Sequence, residues 1–182
     1  MSKGKEYRSG ITLFAVLCVS LIVVALQGCG ADAASRVTRQ LDLGNRYLAE
    51  LNYEEAIVAF QKAIDIEDRN VDAWLGLAEA NARLAEASAG SDSETYFEQA
   101  KDAFETAINL EPTRAESYLA LADLYEQHGQ PEKAMTLLET VPSNIDDPDS
   151  IAKRMEELQK QYFPPMATIM VPLSRPLSQI LS

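Results

Sequence analysis

Few side chains in this sequence have the chemistry of a reactive site. There is one histidine, His128, and there are two cysteines, Cys18 and Cys29. His128 stands beside Gly129, where a helix C-terminus favours His, Lys or Arg. It has no second histidine and no nearby cysteine with which to hold a metal or run proton transfer. Asp146, Asp147 and Asp149 form a carboxylate cluster that at first sight suggests calcium. It lacks the glycine and the closing glutamate of a calcium loop, and helix capping accounts for it better. Nucleophile motifs, phosphate loops and zinc spacings are absent from the sequence. These residues predict a protein that is not an enzyme and needs neither metal nor cofactor.

The bulk numbers limit the partners. The chain has 182 residues, is 47% hydrophobic and carries a formal net charge of −12. The first 28 residues contribute Lys3, Lys5 and Arg8 against Glu6, so the body is more acidic than the whole. Such a body repels phosphate backbones, which excludes nucleic acid as a partner. An anionic membrane surface will not hold it by charge alone. A basic or amphipathic protein or peptide segment is attracted. Both cysteines precede residue 30, so helix packing alone must hold the body together.

Three basic residues followed by an apolar run, Ile11 to Leu26, form the n-region and h-region of an export signal. The run ends in Leu26-Gln27-Gly28-Cys29. This resembles the lipobox of bacterial lipoproteins: an aliphatic residue, a small residue just before the cut, then cysteine. Gln27 departs from the small or aliphatic residue usual at its position. The resemblance implies cleavage before Cys29 and acylation of its sulfur. Two or three acyl chains make a stable anchor where one does not. The body is then held at the cell membrane or outer membrane, outside the cytoplasm. Residues 1–28 read as signal and 29–36 as a tether.

Beyond the tether, a pattern of small and large residues recurs three times. Gly44, Tyr47, Ala56, Phe60 and Ala63 set it. Trp74, Leu77 and Ala78 followed by Ala100, Phe104, Ala107 and Pro112 repeat it. Tyr118, Leu121, Ala122, Tyr125 and Ala134 repeat it again. Small residues suit close helix crossings, and bulky ones fill the gaps between them. The pattern resembles the tetratricopeptide repeat, a helix-turn-helix unit of about 34 residues. The units are Val37–Asn70, Val71–Arg114 and Ala115–Pro148. The second is longer, with an insertion between Asn81 and Ala100. The helix-forming stretch from Ala82 to Ala87, broken at Ala89 to Ser93, predicts extra helix on each side of a taller turn. Asn52 with Glu55, and Thr113 with Glu116, read as capping boxes. Pro131 suits a first helical position. Residues 149–162 read as a closing helix with Ile151, Met155, Leu158 and Tyr162 on one face. Residues 163–182, with four prolines, read as an extended tail.

The fold class implied is all-α, a right-handed solenoid of helical hairpins with a C-terminal capping helix. Stacked hairpins of this kind hold partners. In the resembled family the first helix of each hairpin lines a concave groove. Carried onto this chain, the groove takes Leu41, Asn45 and Leu48 from unit one. It takes Asp72, Leu75, Glu79 and Arg83 from unit two, and Glu116, Leu119, Asp123 and Glu126 from unit three. This makes a stripe of leucines bordered by carboxylates, suited to a segment with apolar anchors and basic flanks. Members that clamp acidic tails use groove cations, whereas Leu41, Glu116 and Ala120 stand at those positions here. The functional expectation is a lipid-anchored scaffold of the bacterial envelope. The alternative is an accessory segment whose activity lies in a further C-terminal domain or a partner subunit.

Overall fold

A computed structural model describes residues 32–164, as seven helices with no strand among them. Residues 1–31, on which the expected signal and both cysteines fall, and residues 165–182 lie outside the described residues. Within them no helix is long and apolar enough to cross a membrane. The helices are α1 (32–49), α2 (Tyr53–Ile66), α3 (Val71–Ala87), α4 (Ser91–Leu110), α5 (Ala115–Gln127), α6 (Pro131–Glu139) and α7 (Pro148–Tyr162). They form two compact units, one ending at Ala103 and the other beginning at Phe104. Residues 32–36, expected as tether, are the first residues of α1. Ala33 and Ala34 favour helix, and Asp32 suits the positive end of the helix dipole.

In the first unit the ring of Phe60 is 1% exposed and sets the spacing of its neighbours. A β-carbon built at Gly44 of α1 would approach the ring to 2.7 Å, and one at Gly76 of α3 to 2.3 Å. Both positions therefore need glycine for close approach, whatever their helix propensity. Ala56, Ala63 and Ala78 are fully buried, as the small positions of the pattern require, and so is Ala73. Trp74 donates its indole N–H to the carbonyl of Asp68 at 2.8 Å, which fixes the entry to α3. Asn70 caps the same helix by accepting from the backbone of Ala73 at 3.0 Å. The capping box expected at Asn52 does not form, since its side chain makes no cap hydrogen bond and its amide reaches Glu50 instead.

The turns that end α1 and α5 are the same device. Leu51 and Asn52 donate to the carbonyls of Leu48 and Tyr47 at 3.1 and 2.9 Å. Gly129 and Gln130 donate to Glu126 and Tyr125 at 2.9 and 2.8 Å. This is a Schellman closure, which needs a left-handed residue. Gly129 supplies it with φ 71°, and Leu51 adopts φ 62° at the equivalent place. In the second repeat that place is Ala85, which stays helical because α3 runs on to Ala87. The insertion is thus helix on both sides of a turn at residues 88–90. Ser93 ties the sides together by donating to the carbonyl of Ala85 at 2.7 Å.

In the second unit, Tyr118, Ala122, Ala134, Leu138, Ile151 and Leu158 form one buried cluster. α7 packs on both α5 and α6 and covers the face that the last hairpin leaves open. Pro131 occupies the first turn of α6. The capping box expected from Thr113 and Glu116 is replaced. Arg114 occupies the cap position without a side-chain cap bond, and Glu116 turns to its guanidinium at 2.6 Å. The Asp146 carboxylate caps α5 instead, accepting from the backbone of Ala115 at 2.8 Å. Its own N–H donates to the carbonyl of Thr113 at 2.9 Å. Asp147 caps α7, accepting from the backbone and hydroxyl of Ser150 at 3.1 and 2.6 Å.

Candidate functional site

Glu116, Leu119, Ala120 and Asp123 recur at helical spacing on α5 and line one face of it. With Ala115, Asp146 and Asp147 they surround an open cleft of about 430 Å³. Its floor is apolar and its four charged groups are all carboxylates. The sequence places Glu116, Leu119 and Asp123 here through the repeat register. It gives no sign that Asp146 and Asp147 would join them, because those two lie on the loop before α7. Among the described residues, no group of three or more Asp, Glu, His or Cys side chains converges to hold a metal.

The carboxylates do not stand alone. Asp123 accepts a hydrogen bond from Arg154 Nε of α7 at 2.9 Å and forms an ion pair with its Nη2 at 2.7 Å. Glu126 also pairs with Arg154, and its side chain is only 18% exposed. Burial lowers the pKa of the Arg154 guanidinium, but Glu126 and Asp123 outweigh it and the net shift is upward. Glu116 pairs with Arg114. Serine bonds hold the Asp147 carboxyl below its usual pKa. Asp146 is committed to the α5 cap. Leu119 is half-buried and rests partly on the core cluster below it. The cleft is therefore an acidic surface over an apolar floor, its carboxylates engaged by hydrogen bonds and ion pairs, and Glu126 belongs to the α5–α7 contact.

The other expected groove residues lie in the first unit. Leu41 and Leu48 on α1 are half-buried and Asn45 between them is exposed. On α3, Leu75 is half-buried while Asp72, Glu79 and Arg83 are exposed. Arg83 sits between Glu79 at 3.6 Å and Glu86 at 3.4 Å. Burial works against its charge, and these two carboxylates more than offset that, raising its pKa. His128 follows α5 as its C-cap, with its backbone N–H on Leu124 at 3.1 Å.

Comparison with known proteins agrees with this architecture. A family model described as "Tetratricopeptide repeat" matches residues 96–156, and one described as "TPR repeat" matches residues 44–84. No curated protein shows significant sequence similarity to the chain. Among solved structures, a thermophilic TPR protein of Thermus thermophilus is similar with a TM-score of 0.60 and 20% identity. The match covers 86% of this chain and 81% of that one. The second TPR domain of human RPAP3, solved in complex with an HSP70 peptide, is similar with a TM-score of 0.56 and 18% identity, covering 71% and 99%. The first TPR of Spaghetti (RPAP3), bound to an HSP90 peptide, gives 0.55 and 18%, covering 69% and 94%. At these identities the likeness concerns the fold, which is the all-α tetratricopeptide solenoid fold. The two family models fall on separate stretches that together span just over half of the chain, and the chain carries tetratricopeptide repeats.

Proposed function

We propose that this protein is a lipid-anchored, non-catalytic scaffold of the bacterial envelope, which holds a basic or amphipathic protein segment against the acidic cleft of α5. The observation that carries the reading is the cleft itself: half-buried Leu119 and Ala120 ringed by Glu116, Asp123, Asp146 and Asp147. An apolar anchor of a partner would rest on the floor while its Lys or Arg flanks meet the rim. Because Asp146 and Asp147 are locked by backbone bonds, little ordering cost accompanies binding. Two RPAP3 domains of similar fold were solved with chaperone peptides, which supports a segment-binding role for this fold here as well. An acidic tail is not the proposed ligand, since Leu41, Glu116 and Ala120 supply no cation. The lipobox-like Leu26-Gln27-Gly28-Cys29 supports the anchor and the extracytoplasmic location.

The test is capture of envelope proteins by the full chain, comparing wild type with Leu119→Lys and with Leu75→Lys plus Leu119→Lys. The Lys variants should lose the basic partners recovered by wild type by about ten-fold, since a buried anchor site is replaced by a charge. Recovery of the same partners at the same yield from all three proteins would refute the cleft assignment.

A further inference from the structure

α2 has two faces of different character. Ala56, Ala59, Phe60, Ala63 and Ile64 are buried, and the helix packs on α3. Away from that face, Glu54, Val58 and Lys62 recur every four residues and so form one stripe. Val58 is 52% exposed. Across from the stripe, Leu43 and Tyr47 of α1 make the other wall of a cleft of about 320 Å³, floored by Val58 and Ala59. Leu51, 69% exposed, adds apolar surface at the N-terminal end of α2. Among the described residues, ion pairs engage cations from Arg83 onward along the chain, and none takes Glu54, Glu55 or Lys62.

We infer that a second copy of this chain covers this face, with α2 antiparallel to its counterpart about a twofold axis at Val58. A twofold interface must be complementary to itself, because each contact occurs twice with the roles exchanged. The stripe satisfies that condition. An axis at Val58 sets the residue four before it against the residue four after it. Glu54 then faces Lys62 of the second copy, and Lys62 faces Glu54 of the second copy. The two ion pairs stand on the order of 12 Å apart along the helix, at 1.5 Å per residue. Between them Val58 meets Val58, and Leu43 and Tyr47 of each copy close over the contact. A parallel pairing would set like charges against each other, which selects the antiparallel one. The dimer uses only the first unit, and the acidic cleft of α5 has no part in it.

The test uses the full chain with Cys18→Ser and Cys29→Ser, so that an introduced cysteine is the sole thiol. Val58→Cys, lying on the axis, should form a covalent dimer under mild oxidation at least about ten-fold faster than Asp102→Cys, placed on the exposed side of α4. Without thiols, Glu54→Lys should weaken the dimer seen in sedimentation by about ten-fold, since it turns two attractions into two repulsions. Combining Glu54→Lys with Lys62→Glu should restore it, because the exchanged charges still oppose across the axis. A Val58→Cys protein that links no faster than Asp102→Cys would overturn the inference. So would a double variant as weak as the single one. Cover of this face by another protein, or by another segment of the same chain, would give that first result.

Discussion

The ring of Phe60 occupies space that two glycines on different helices leave open. Gly44 is legible in the sequence because it falls on the small position of the first repeat. Gly76 is not, since a glycine inside a helix reads only as a loss of about 1 kcal/mol against alanine. Its reason appears in the fold, where a β-carbon added at Gly76 would come within 2.3 Å of the Phe60 ring. Gly76→Ala should therefore lower stability by about 1–3 kcal/mol despite the better helix former, through overpacking. Denaturant midpoints would report it. Adding Phe60→Leu should recover part of the loss that Gly76→Ala causes, because the two act on one space. Equal stability of Gly76→Ala and wild type would contradict the steric account. Leu51 makes the complementary point. It holds a left-handed turn where Gly129 serves in the third repeat, and nothing in a leucine announces that conformation.

At the scale of elements, the periodic readings fared well and the capping readings fared unevenly. The insertion expected as extra helix on each side of a taller turn is present as the end of α3 and the start of α4. Pro131 opens α6, and a closing helix runs to Tyr162. These signals are local, so sequence spacing carries them. The start of α5 is different. Thr113 and Glu116 have the spacing of a capping box, yet the donor at Ala115 goes to Asp146, 31 residues away in the chain. Packing of α7 on α5 and α6 brings that loop into place, and Arg114 draws Glu116 aside. Asp146→Ala should destabilise the protein by about 1 kcal/mol, and Asp146→Asn by less, since an amide oxygen still caps. Faster amide exchange in the first turn of α5 should accompany the alanine variant. Unchanged exchange there would show that the long-range cap carries no stability.

For the whole molecule, the proposed anchor predicts a clean outcome. Wild-type chain expressed in bacteria should partition with membranes and show added acyl mass at its new N-terminus. Cys29→Ala should show neither. Wild type without lipid mass would refute the anchor while leaving the repeat fold untouched. The sequence by itself determined the all-α repeat fold, the extra helix on each side of the turn after α3 and the proline start of α6. It could do so because small and large positions, turn residues and first-turn prolines act over one or two helical turns. Only the tertiary structure decided which carboxylates meet. Asp146 and Asp147 join Glu116 and Asp123 at one cleft, while Arg154 of α7 draws Asp123 and Glu126 into its own pairing. The physical reason is range. Those contacts join residues about thirty positions apart, and only the docking of α7 on the last hairpin sets the distance between them.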